Sequence, residues 1–244
     1  MAVINIVSDH SETIVGNSGA GGSLAASAAL TSGTSAFGSS NLLVPTYFKI
    51  AFANIYNNNR AFIGFDLSGE TGTITDMTIS LMRASAATAP VLYFVASEHS
   101  DAVAASDYLD GITGQDGYPF TSTATQYSVW NPNGDDGNNT GNAEAVTITL
   151  NSAAISAAQS AMGSGKFKLA IVNQYDFNNS YGSAGIGSLF IIQGPYFVST
   201  QHGTTSNHPI LNITTGTSAV PRVTKLNLNS GNLILKGGTF VIKW

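Results

Sequence analysis

Residues 60–68, Arg60-Ala-Phe-Ile-Gly-Phe-Asp-Leu-Ser, followed by residues 74–81, Ile74-Thr-Asp-Met-Thr-Ile-Ser-Leu, decide the fold. Each is a short apolar or alternating run, and Gly69 to Thr73 between them is turn-forming. Alternation with period two is the mark of a strand that buries one face. The same texture extends outward to Tyr47-Phe-Lys-Ile-Ala-Phe-Ala and to Pro90-Val-Leu-Tyr-Phe-Val-Ala. It resumes at Ala145-Val-Thr-Ile-Thr-Leu, Leu169 to Tyr175, Ser188 to Gln193 and Ile210 to Thr214. Many short strands separated by turn residues predict an all-β, jelly-roll-like antiparallel sandwich. One short helix is expected at Ser152 to Met162, where an Ala-rich run is stopped by Gly163. Residues 16–41 carry Gly16, Gly19, Gly21, Gly22, Gly33 and Gly38 and read as loop or irregular strand.

The order Gly38-Ser-Ser-Asn-Leu, then Phe65-Asp-Leu-Ser, then Ile74-Thr-Asp-Met-Thr-Ile-Ser-Leu resembles the disaggregatase-related, DNRLRE-type β-sandwich. His208-Pro-Ile-Leu-Asn-Ile-Thr resembles that family's closing strand, so the likeness spans residues 1–215. His208 stands where the family usually has Arg, and Met77 where it has a small residue; both bear on subfamily and ligand. The resemblance implies a binding or structural role without catalysis, as in carbohydrate-binding modules and in repeat domains of extracellular and virion proteins.

Only 9% of the 244 residues are charged and the formal net charge is −5, far from the roughly 25% charged of an average globular chain. Nine basic residues scattered among 14 acids leave no basic stripe for phosphate, which excludes a nucleic-acid partner. No apolar run is long enough to span a bilayer. With no cysteine there is no disulfide framework or thiolate metal site. Met1-Ala-Val-Ile-Asn-Ile-Val lacks a basic n-region, so a surface-type composition without an export signal points to a virion component assembled before lysis. Localisation on a virion is therefore expected, with an extracellular or bacterial cell-surface setting as the alternative.

Five basic and 14 acidic side chains precede residue 216, whereas Arg222, Lys225, Lys236 and Lys243 follow it with no acid. Residues 216–244 are expected to form a C-terminal β-hairpin extension with turns at Ser230-Gly-Asn and Gly237-Gly. Leu233, Leu235, Phe240, Ile242 and Trp244 alternate with mainly polar positions, so one apolar face needs a partner that a lone hairpin cannot supply. Arg222, Lys225 and these apolar residues are the expected assembly surface, toward other virion proteins or further copies in a homo-oligomer such as a trimer. A solvated edge hairpin is the bland alternative.

The aromatic-rich stretch from Ser106 to Asn142 suggests a saccharide platform of Tyr108, Tyr118, Tyr127 and Trp130 with Asp110, Gln115 and Asp116 as polar partners. The competing reading makes those rings core. Tyr175, Phe177 and Tyr181 amid Asn178, Asn179 and Ser180 form a second candidate. Asn133, Asp135, Asp136 and Asn138 offer oxygen ligands for a structural Ca²⁺, though without EF-hand spacing, and a plain solvated turn is the preferred reading of them. No other cofactor is expected. His10, His99, His202 and His208 show no metal or catalytic spacing, and no nucleophile elbow occurs. Carboxylate pairs among Asp101, Asp107, Asp110 and Asp116 are the one enzymatic option left, and the chain is read as no enzyme. Arg60 and Asp66, flanking the diagnostic strand, read as scaffold held by ion pairs or turn hydrogen bonds.

Overall fold

A computed structural model describes residues 1–17, 27, 42–43, 45, 47–50, 55–84, 90–113, 124–132, 144–180 and 196–216. The residues fold as two antiparallel sheets packed face to face. The first holds β1 (Ala2–Val7), β12 (Ile210–Gly216) and β6 (Thr73–Arg83) side by side. β9 (Glu144–Thr149) lies on the other side of β6, while β11 (Phe197–Val198) and β3 (Leu42–Leu43) extend the sheet beside its end. The second runs β2 (His10–Asn17), β5 (Ile55–Asp66), β10 (Lys166–Asn173), β7 (Leu92–Ala96) and β8 (Gln126–Trp130). β4 (Tyr47–Ile50) pairs with the first residues of β5. Most partners are distant in sequence, the crossover habit of a jelly roll. The expected all-β sandwich is the fold found.

Alternation explains which faces meet. On β6, Ile74, Met77, Ile79, Leu81 and Arg83 are buried while the residues between them are not. On β5, Ala61, Ile63 and Phe65 turn inward to the same core, which Phe167, Leu169, Tyr127, Trp130 and Phe197 complete. The diagnostic Phe-Asp-Leu-Ser ends β5, and its turn carries the chain across to β6. The helix appears as α2 (Ser152–Ala161), after the single turn α1 (Asp107–Asp110). Asn151 Oδ1 accepts from the N–H groups of Ala153 and Ala154, a cap contributing about 1 kcal/mol. Gly163, at φ +76°, follows its C-terminus as expected of a glycine in the left-handed region. Ala154 and Ala158 are buried against the core, so α2 plugs one end of the sandwich.

The outer face of the second sheet is also covered. Ile14, Phe62, Val95, Ala170 and Val172 pack under a segment that returns from β7 through α1, led by Tyr108 and Ile112. Arg60, fully buried on that face, holds Asp176 of α3 (Gln174–Phe177) through two hydrogen bonds of 2.7 and 2.9 Å. Its guanidinium also donates to the Tyr108 carbonyl and lies 4.3 Å from the Tyr108 ring centroid. Arg60 is therefore scaffold, with Asp176 as its acid. Asp66 Oδ1 instead accepts from Ser68 N at 2.9 Å and fixes the turn.

The aromatic platform does not form as expected. Tyr108 is fully buried, with its hydroxyl donating into the carbonyls of Ser27 and Asn58. Tyr127 and Trp130 are 5% and 3% exposed. A register shift between Phe94 and Val95 makes Tyr127 the extra residue of a bulge, so it and Trp130, three apart, both turn inward. Tyr127 stacks on Phe167 at 5.5 Å and Trp130 meets Phe197 at 5.7 Å. Asp110 alone of the described platform residues is exposed. Gln115, Asp116 and Tyr118, the calcium candidates Asn133, Asp135, Asp136 and Asn138, and all the assembly residues from Arg222 to Trp244 lie outside the described residues.

Candidate functional site

Six of the chain's few charged side chains meet at one edge of the second sheet: Asp9, Asp66, Glu98, Asp101, Lys166 and Lys168. The construction starts from a strand row. His10 on β2, Gly64 on β5 and Lys168 on β10 are cross-strand neighbours, and Lys166 sits opposite Asp66 in the next outward-facing row. Because Gly64 has no side chain, the His10 ring lies directly over its backbone; a Cβ there would stand 2.0 Å from His10 Cε1. His99, from the segment after β7, comes down onto that ring.

The imidazoles join at 2.7 Å, Nε2 to Nε2, with ring centroids 4.9 Å apart. His99 Nδ1 meets Ser97 Oγ at 2.6 Å, and that hydroxyl donates to the Gly111 carbonyl. Whichever ring donates, an N···N gap of this length holds one proton. Asp9 Oδ1 stands 2.9 Å from His10 Nδ1 and gives that nitrogen a charged neighbour. His99 is fully buried, and desolvation, then the charges of His10 and Lys168, bring its pKa down to about 3. Burial also lowers His10, against the opposing pull of Asp9. Both rings are neutral at pH 7.

Above them the ion pairs interlock. Lys166 Nζ reaches Asp9 Oδ2 at 2.6 Å and Asp101 Oδ2 at 3.3 Å. Lys168 Nζ reaches Asp101 Oδ1 at 2.8 Å and donates to the His99 carbonyl at 2.6 Å. Hydrogen bonds from Lys168 and Lys166 hold the Asp101 carboxyl down to about 2, and Asp9 raises Lys166. Asp101 and Lys166 therefore stay charged across the neutral range. Asp66, Ser68, Glu98, Asp101, Ser164, Gly165, Lys166 and Lys168 line an open groove of 590 Å³ here. Ser164 and Gly165 come from the turn that follows α2, laced to the β5 turn by Leu67 N–H donating to the Gly165 carbonyl and Gly163 N–H to the Leu67 carbonyl.

The groove unites positions that sequence reading left apart. His10 and His99, without spacing that suggested contact, are bonded. Asp101 belongs to the lysines, whereas Asp107 accepts from Ser100 N–H and Oγ–H and from Ala104 N–H, so these two acids do separate work. In the second aromatic candidate, Phe177 stacks on Tyr93 at 4.2 Å as packing, and Tyr181 lies outside the described residues. The local signal for the groove was two short charge runs in a charge-poor chain, Glu98-His-Ser-Asp and Lys166-Phe-Lys. Among the described residues no three His, Asp or Glu converge on a cation position, and no helix is long and apolar enough to cross a membrane. No family model matches the chain, and no curated protein matches it at a significant level.

Proposed function

We propose that this chain is a non-enzymatic β-sandwich of the disaggregatase-related type, acting as a virion surface component such as a capsid decoration protein, head fibre or tail-associated adhesin. Its groove on the second sheet contacts host-surface glycans. The observation that carries the reading is the preorganised groove itself: fixed ion pairs, exposed carboxylates and two serines present many polar groups to hydroxyls, on rigid strands. Binding is favoured over turnover because the imidazoles are bonded to each other and His99 is fully buried, so substrate would have to displace His10 to reach it. The charge-poor composition and the basic C-terminal residues support placement in a larger assembly. An extracellular carbohydrate-binding module is the second reading, favoured by the same groove.

A glycan array with the full chain, beside light scattering of its mass, tests both. Binding that is weakened in Glu98→Ala and Lys168→Ala, together with an oligomeric mass, is the expected result. Binding by a monomer favours the carbohydrate-binding module, and a profile without hits refutes the glycan contact.

A further inference from the structure

Resting on the groove as a carbohydrate contact, we infer that its ligand is a saccharide that is neutral or carries ammonium groups, and that it rejects uronate-bearing polyanions. The groove contains lysines, which at first sight suit an anion. Two of the three donors on each ammonium are already committed to groups of the protein, which leaves the groove richer in acceptors than in open donors. An ammonium has three donors; Lys166 directs its charge to Asp9 and Asp101, and Lys168 to Asp101 and the His99 carbonyl.

What remains open to a ligand is acceptor capacity. Glu98 is exposed, and its carboxylate makes no hydrogen bond to the described residues. Asp66 accepts from the Ser68 N–H and also hydrogen-bonds the Ser68 side chain, and its carboxylate, with about four lone-pair sites, still has acceptor capacity beyond those two contacts. Four carboxylates, Asp9, Asp66, Glu98 and Asp101, stand against two ammoniums, and the imidazoles below are neutral, so the cluster is net negative. Asp101 stays ionised because both lysines hold it. A uronate would have to share a lysine with Asp9 or Asp101 and sit beside the acid that already holds it, in a cluster that is net negative. A hydroxyl or an ammonium displaces nothing and donates to Glu98 and Asp66, as carboxylates accept from both. Ser164 adds a hydroxyl of either sense.

Three probes separate the possibilities: an oligosaccharide of glucosamine, its N-acetylated and therefore neutral counterpart, and an oligogalacturonate. Each is titrated into the full chain at low and high salt, with affinity by calorimetry and location by amide chemical-shift changes. Amine-bearing ligand tightest, neutral next and uronate weakest is the expected order, with shifts at Asp66, Glu98 and Lys168. Salt weakens the amine ligand most. Glu98→Gln and Asp66→Asn, both exposed replacements that keep shape, each weaken the amine ligand about threefold to fivefold, the range of an exposed ion pair, and leave the neutral one nearly unchanged.

Uronate binding as tightly as the amine, or a preference unmoved by both variants, overturns the inference while leaving the groove as a saccharide site. Binding with shifts confined elsewhere overturns it but leaves glycan recognition standing. No binding by any probe overturns this inference and the groove reading together.

Discussion

Gly64→Ala puts the central row of the groove under direct strain. The new Cβ would stand 2.0 Å from His10 Cε1, 2.6 Å from Nε2 and 2.8 Å from Nδ1, so the ring must swing off β5. The ring can move, but its 2.7 Å bond to His99 cannot move with it. His99 is fully buried, and leaving its Nε2 without a partner costs about 1–3 kcal/mol. Crowding adds about 1–3 kcal/mol, and alanine returns about 0.5–1 kcal/mol over glycine within a strand. A net loss of about 1–5.5 kcal/mol, centred on about 3, follows from those three terms. Urea unfolding at pH 7, followed by tryptophan fluorescence, measures it. The decisive control is the same substitution in a His10→Ala background, where the ring is gone and the methyl has room. There Gly64→Ala becomes neutral or mildly stabilising, giving a coupling of about 2 kcal/mol or more between the two sites. Equal losses in both backgrounds, to within about 0.5 kcal/mol, would refute the packing of His10 over Gly64.

Three further outcomes are expected. Arg60→Met leaves Asp176 buried without its cation and lowers stability in urea by about 3–5 kcal/mol, whereas adding Asp176→Leu recovers most of the loss, because the pair is fully buried. Acid unfolding carries a histidine signature: His99 binds its proton at about pH 3 when folded against an ordinary 6.5, so the unfolded chain holds more protons in between. Stability is then complete above pH 6.5 and falls on acidification toward pH 3, by up to about 1.4 kcal/mol per unit, with His10 acting in the same direction; His99→Gln should flatten the slope between pH 6.5 and 5 in urea titrations, and an unchanged slope would sink the assignment. Asn59 is fully buried with neither amide atom hydrogen-bonded among the described residues, so Asn59→Leu is expected to be neutral or stabilising by about 1–3 kcal/mol in a thermal melt, and a large loss would mean that the amide holds a polar partner.

The strands were legible because burying one face imposes period two on the residues, and β6 shows it from Met77 to Arg83. The helix was legible for a local reason as well, since Gly163 adopts a backbone that other residues avoid. Tyr127 and Trp130 were misread for a reason that composition cannot carry. Their spacing of three suits a loop, and only the bulge opposite Phe94 and Val95 lets both face the core. Tyr108 sits in an exposed-looking loop but leads the cover over Phe62 and Ala170. Aromatic residues in a long loop of a charge-poor chain thus mark where that loop is fastened as readily as where it binds.

The groove escaped the sequence because no two of its four segments are neighbours in the chain. Asp9 precedes β2, Asp66 and Ser68 close β5, Glu98 to Asp101 follow β7, and Ser164 to Lys168 lead into β10; crossover pairing alone brings them to one sheet edge. What sequence does record is the strand parity that aims them. Lys166 and Lys168 flank an inward Phe167, and Gly64 lies between the inward Ile63 and Phe65, so the alternation that buries the core also delivers both ammoniums and the bare glycine to the opposite face. A register slip by one residue would bury both lysines and strand Phe167 in solvent. The apolar core therefore fixes the position of the charged site, and the two cannot be altered independently along β5 and β10.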